Sequence, residues 1–165
     1  MSNSSNKGVA VVTGASSGIG AVYADRLAKR GYNLILVARN EARLKSLSAR
    51  LTSETGRSIK VLPGDLSNKA ELAKVEATLR DDPSITILVN NAGTASVAPL
   101  LNADVNKMDD MIALNITALT RRTYAVAPAL SRVAQAPSST SDRWWASRPR
   151  RSTVCTARAK PMSLR

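Results

Sequence analysis

The 165-residue chain predicts an α/β fold, a doubly wound parallel sheet with helices on both faces, on three observations. Short, almost wholly apolar runs alternate with longer segments whose apolar residues recur at helical spacing, the pattern of successive βαβ units. The first apolar run opens into a glycine-rich turn, Thr13-Gly14-Ala15-Ser16-Ser17-Gly18-Ile19-Gly20, that leads straight into a helical pattern. Gly31, Gly56, Pro63-Gly64 and Asn90-Asn91-Ala92-Gly93 then punctuate the remaining junctions.

Residues 9–12 (Val-Ala-Val-Val) read as a strand buried on both faces, and Tyr23, Ala24, Leu27 and Ala28 supply the apolar side of the first helix. Gly31 suits the C-terminus of that helix, and residues 32–38 form a second buried strand. A second helix fits residues 41–55, with Leu44, Leu47 and Leu51 on one face and Gly56 just past its end. Residues 58–62 make a short third strand closed by Pro63-Gly64. Residues 68–79 then make a third helix with Leu72, Val75 and Leu79 aligned. Residues 85–89 form the fourth strand. From Asp104, a candidate N-cap, Met108, Met111, Ile112, Asn115, Ile116 and Leu119 carry a helical pattern into Tyr124 and Val126. Ligands of such sheets lie beyond the carboxyl ends of the strands, where these turns converge.

Length and composition bound the reading. One domain is expected, and no apolar stretch approaches the ~20 residues of a membrane span. The first seven residues are polar and lack a leader's apolar run, so a cytoplasmic location without membrane attachment is expected. Cys155 is the only cysteine and there is no histidine. An internal disulfide, a cysteine- or histidine-built metal site and Ser-His-Asp catalysis are therefore excluded within the chain. Of the formal net charge of +12, +5 falls on residues 1–130 and +7 on residues 131–165, which also hold Trp144 and Trp145. The expected division is a folded domain over residues 1–130 and an irregular, disordered basic tail over residues 131–165.

The glycine turn has a chemical reading. Gly14 permits a tight exit from the strand, Gly18 lets main-chain N–H groups approach phosphates, and Gly20 lets the helix pack closely on the sheet. A pyrophosphate would then sit on the helix N-terminus, where unpaired N–H groups and the helix dipole favour an anion. Glycines serving turn geometry alone are the plainer alternative, and the matching strand and helix on either side favour the nucleotide reading.

With that turn, Asp65-Leu66 after the third strand and Asn90-Asn91-Ala92-Gly93 after the fourth, the chain resembles the short-chain dehydrogenases/reductases over roughly residues 8–130. The resemblance implies a Rossmann-type sheet, incomplete here, with about four of the family's usual seven strands. It implies a dinucleotide held by Thr13, Gly14, Ser16, Ser17, Gly18, Ile19 and Gly20. Asp65, with Leu66 beside it, would hydrogen-bond the adenine amino group, and Asn90, Ala92 and Gly93 would lie along the adenosine ribose. Asn115 matches the family's catalytic-site asparagine, which orders a water in the proton relay. The activity implied is NADP-dependent hydride transfer between a nicotinamide and a small carbonyl or alcohol substrate. Arg39 decides the cofactor: an acidic residue ending the second strand would bind the ribose 2′-OH of NAD, whereas Ala38-Arg39-Asn40 offers a guanidinium to a 2′-phosphate. NADP(H) is favoured over NAD(H), against the alternative of a solvated arginine at a helix entrance.

The resemblance breaks where the family carries its Tyr-x-x-x-Lys pair and the serine ahead of it. Tyr124 is followed by Pro128 at the lysine position, and Tyr23 and Tyr32 lie in the cofactor-binding half. From about Ser131 the text becomes basic and rich in Ser, Pro and Arg, with no sustained period. Joining each codon's last base to the next codon's first two, residues 153–164 can encode Gly-Val-Tyr-Gly-Ala-Ser-Lys-Ala-Tyr-Val-Ser. The same frame over residues 138–146 can encode Ile-Asn-Ile-Gly-Ser-Val-Val-Gly, its serine thirteen positions ahead of the tyrosine. The tail from residues 131–133 onward therefore reads as an out-of-frame translation of the family's catalytic segment. As written, the chain is expected to bind cofactor without turnover and to leave the fourth strand as an open edge. Family homo-oligomerisation is doubtful in such a truncated form. A basic tail with paired tryptophans that binds single-stranded nucleic acid is the competing reading, and no recognised module surrounds it.

Overall fold

The computed structural model describes residues 7–95, 99–135 and 153–156. Its centre is one parallel sheet in the order β3-β2-β1-β4-β5, formed by β1 (Val9–Thr13), β2 (Asn33–Ala38), β3 (Ile59–Pro63), β4 (Ile85–Asn90) and β5 (Thr153–Thr156). Helix α1 (Gly18–Lys29) links β1 to β2, α2 (Glu41–Thr55) links β2 to β3, and α3 (Lys69–Arg80) links β3 to β4. After β4 come α4 (Val105–Ile112), a π-helical turn (Ala113–Ala118) and α5 (Leu119–Gln135). The chain thus starts at the sheet's centre, steps outward to β3 and returns to the other side of β1 at β4. That reversal is the switch point at which open α/β sheets form their ligand crevice.

Strand alternation divides the core into two layers. Val11, Ile35, Val37, Ile85 and Leu88 face α3 and α5 with Leu72, Val75, Leu79, Val126 and Leu130. Ala10, Val12, Leu34, Leu36 and Val89 face α1 and α2 with Ala24, Leu27, Ala28, Leu44 and Leu51. In this layer α1 presents the small side chains of Ala24 and Ala28, with Leu27, to the strands that feed the glycine turn.

The helix ends follow local chemistry. The side chains of Asn40, Asn68 and Asp104 accept main-chain N–H groups in the first turns of α2, α3 and α4. Gly56, at φ 66°, ends α2 in the left-handed region that glycine enters freely.

Two features depart from expectation. The edge of β4, expected to be open, is covered by β5, paired in register from Ile87↔Thr153 to Asn90↔Thr156. Thr153-Val154-Cys155-Thr156 is rich in β-branched residues, and four residues suffice to satisfy an exposed ladder that a regular-period reading passes over. Helix α5 runs to Gln135, past the domain boundary placed at residue 130. The rest of the predicted tail, including Trp144 and Trp145, lies outside the described residues. Among those residues no helix is long and apolar enough to cross a membrane.

Candidate cofactor-binding site

At the carboxyl ends of β1 to β4 the sheet opens into a cleft of about 750 Å³. Its walls come from four segments: the turn after β1 (Gly14, Ser16, Ser17), the start of α2 (Arg39, Asn40, Arg43), the loop after β3 (Gly64, Asp65, Leu66, Ser67) and the turn after β4 (Asn91, Ala92, Gly93, Thr94). Lys107, Asp110 and Leu114 close the side formed by α4 and the π-helical turn.

Thr13 ties the first and fourth of these segments together. Its buried hydroxyl donates to the Val89 carbonyl at 3.2 Å and accepts the N–H groups of Asn91 and Ala92 at 3.0 and 3.1 Å. Asn91 returns the brace, its side-chain amide donating to the carbonyls of Thr13 and Gly14 at 3.1 and 3.2 Å. A β-carbon at Gly20 would collide with the Gly14 carbonyl oxygen and stand 2.5 Å from Asn91 Nδ2. Gly20 is therefore the place where α1, the turn after β1 and the turn after β4 touch. Gly18, at φ 56°, has nothing within 4 Å of where its β-carbon would be, which leaves its main chain open to an incoming group.

Asp65 carries the acceptor of the third segment. Its Oδ1 accepts the Ser67 N–H at 2.9 Å and the Ser67 hydroxyl at 2.7 Å. Burial pushes its carboxyl up, but the two Ser67 bonds and the nearby Arg39 charge outweigh burial and hold it below the usual carboxylate range. Leu66 sends its side chain into the core and brings only its margin to the cleft.

Asn90 and Asn115 support the cleft from behind. Asn90 is buried, donating to Thr123 Oγ1 at 3.1 Å and accepting from Arg122 at 3.3 and 3.4 Å. Asn115, in the π-helical turn, accepts the Thr94 N–H at 3.0 Å and donates to the Thr94 carbonyl at 2.7 Å. It thereby holds the loop that follows Gly93. Behind this layer, buried Glu76 takes both Nε and Nη2 of Arg121, the latter at 2.8 Å.

Of the residues assigned to the cofactor from sequence, Gly14, Ser16, Ser17, Arg39, Asp65, Leu66, Ala92 and Gly93 line the cleft. Thr13, Gly18, Ile19, Gly20 and Asn90 lie beside or behind it. Sequence reasoning missed Arg43, Asn91 and Lys107 as lining residues. Arg43 had a legible signal, since it falls in the first turn of the helix that Arg39 precedes.

The residues present fit a phosphorylated dinucleotide. The turn after β1 leaves main chain uncovered at Gly18. Arg39, Arg43 and Lys107 take part in no ion pair among the described residues, and they outnumber the cleft's carboxylates, Asp65 and Asp110. Arg43 moreover stands in the first turn of α2, where the helix dipole disfavours a cation unless an anion joins it.

The chain's relatives share this architecture. The sequence model of the short chain dehydrogenases matches residues 8–137. A very-long-chain 3-oxoacyl-CoA reductase of Meyerozyma guilliermondii is 42% identical over 123 residues, which cover 72% of this chain and 36% of that protein. Among solved structures, a short-chain dehydrogenase from Sphingobium yanoikuyae in complex with NADPH is 46% identical, with a TM-score of 0.74 over 77% of this chain and 50% of that one. A bulky-bulky ketone specific alcohol dehydrogenase from Comamonas testosteroni is 44% identical, with a TM-score of 0.74 over 77% and 51%. The chain spans roughly a third of the length of the curated relatives it matches and about half that of the solved ones. Since the match runs from the first strand to the end of the long helix, the chain belongs to the short-chain dehydrogenase family of oxidoreductases.

Proposed function

We propose that the cleft binds NADP(H) in preference to NAD(H), and that the 165-residue chain holds this cofactor without turning it over. The observation that carries the cofactor choice is the pair Arg39 and Arg43, which flank the cleft where a carboxylate would be needed to accept from a ribose 2′-OH. Two guanidinium groups on the lip of the cleft, one just before α2 and one in its first turn, suit a 2′-phosphate. The turn after β1 would hold the pyrophosphate on the N–H groups of α1, and Asp65 would accept from the adenine amino group through Oδ2. A bound nicotinamide would supply or accept a hydride at the carbonyl or carbinol carbon of a small organic substrate. Asn115 fixes the loop beside Gly93, and its part in a proton relay requires a tyrosine and lysine partner that the 165 residues do not contain in the Tyr-x-x-x-Lys arrangement.

The proton relay is where the chain falls short. General acid–base catalysis of this kind contributes about 10²–10⁴-fold, and serine, tyrosine and lysine are missing together. The codon reading of residues 138–164 accounts for this as a frame change at about residues 131–133, within the last turns of α5. A protein expressed from the same gene with the frame restored after Leu130 is expected to oxidise NADPH with ketones or aldehydes, and the 165-residue chain is not. Turnover by the 165-residue chain at ordinary enzyme rates, or stop codons in the shifted frame, would overturn the reading.

A further inference from the structure

The geometry points to Glu71 as a positioning residue for purine recognition, one that aims the Asp65 carboxylate by holding its main chain; the inference rests on the proposed contact between Asp65 and adenine. Glu71 is the third residue of α3, after the N-cap Asn68. A glutamate there ordinarily reaches back to the N-cap's own N–H in a capping box. Here the Asn68 N–H is already given to the Asp65 carbonyl at 3.1 Å, and Glu71 Oε2 reaches farther, accepting the Asp65 N–H at 2.6 Å. Asn68 completes the lock by accepting the N–H groups of Ala70 at 2.9 Å and Glu71 at 3.2 Å.

Both main-chain groups of Asp65 are thus fixed to the first turn of α3, and its Oδ1 is fixed by Ser67. What remains is Oδ2, without a hydrogen-bond partner among the described residues, on a residue that lines the cleft. Glu71 does not line the cleft and acts only through Asp65. An ionised carboxylate accepts and never donates, so an aimed Oδ2 favours a purine with an exocyclic amine over one with a carbonyl at that position.

The test is a fluorescence titration of the whole 165-residue chain with NADPH and with reduced nicotinamide hypoxanthine dinucleotide phosphate, in which a carbonyl replaces the amine. Wild type is expected to prefer NADPH by on the order of tenfold, the scale of one hydrogen bond to a charged group. Glu71→Ala is expected to reduce that preference to near unity. Glu71→Asp, which keeps the charge but draws the carboxylate back by one methylene, is expected to do the same. Glu71→Gln, whose side-chain oxygen can still accept from Asp65, is expected to retain it. Wild-type preference that survives in both Glu71→Ala and Glu71→Asp overturns the role of Glu71. Equal wild-type affinity for the two probes overturns the adenine contact of Asp65, and failure to bind either overturns the cofactor assignment. A purely structural role would lower the unfolding temperature of Glu71→Ala and leave the ratio of the two affinities unchanged.

Discussion

The Arg122 guanidinium is fully buried against the side-chain oxygen of Asn90, with Nη2 at 3.3 Å and Nε at 3.4 Å, while its Nη1 has no partner among the described residues. These are long bonds for a charged donor. Glu76, the nearest carboxylate of consequence, is engaged by Arg121. The core layer between β4 and α5 therefore holds a cation whose surroundings only half satisfy it.

Arg122→Leu removes a buried charge that no carboxylate among the described residues pairs and is expected to stabilise the fold by about 1–4 kcal/mol, the range for buried ion pairs replaced by apolar groups of similar volume. Burial pulls the Arg122 pKa down to about 10, against the opposing pull of Glu76. A cation whose folded pKa lies below its unfolded value binds its proton less well in the folded state. Its cost is present at neutral pH and is relieved as pH rises through about 10. Urea unfolding at neutral pH and at about pH 11 checks this: wild type should gain relative to the variant as pH rises. A variant less stable than wild type at neutral pH would show that the bonds to Asn90 outweigh the burial cost.

Thr13→Val keeps the shape of the side chain but strands the N–H of Ala92 and leaves that of Asn91 only its bond to the Val89 carbonyl at 3.1 Å. The expected loss is about 1–3 kcal/mol by urea unfolding. The turn after β4 should loosen with it, weakening NADPH in a fluorescence titration, and Thr13→Ser should recover most of both effects.

Ser67→Ala removes one of the donors that hold the Asp65 carboxyl below its usual range. For a carboxyl with a depressed folded pKa, the stabilisation is present above the unfolded pKa and is lost as pH falls through the folded one. The variant should therefore lose this contribution at higher pH than wild type, seen as an upward shift of the Asp65 titration followed by NMR.

Gly20→Ala puts a methyl group onto the Gly14 carbonyl. Because main chain rather than a flexible side chain stands in the way, a destabilisation of about 1–3 kcal/mol is expected, together with loss of NADPH binding. Undiminished binding would show that the turn after β1 can reshape without disturbing the cleft.

Much of the framework was legible where a local signal and the tertiary role coincide. Helix α2 falls on residues 41–55 as its leucine spacing implies, because Asn40 caps one end and Gly56 supplies the left-handed residue at the other. The π-helical turn was hidden: one extra residue per turn shifts an apolar stripe too little to break a 3.6-residue pattern, so residues 105–126 read as one helix. β5 was hidden because four residues in a basic stretch carry no period of their own and pair only through the ladder that β4 offers. Arg122 was hidden for the opposite reason, since a charged residue in an amphipathic helix reads as its solvent side while the structure places it in the core. In the site, the glycine turn, Arg39 and Asp65 were visible as motifs. Arg43 and Glu71 matter through where α2 and α3 begin relative to the sheet, and that is a property of packing.

The most direct measurement is an equilibrium fluorescence titration of the 165-residue chain with NADPH and NADH at the same low salt, repeated on Arg39→Ala and Arg43→Ala. Wild type is expected to bind NADPH more tightly by on the order of tenfold or more, and each substitution to weaken NADPH while leaving NADH nearly unchanged. Equal affinity for the two cofactors, tighter binding of NADH, or no binding of either would contradict the assignment of the cleft to NADP(H).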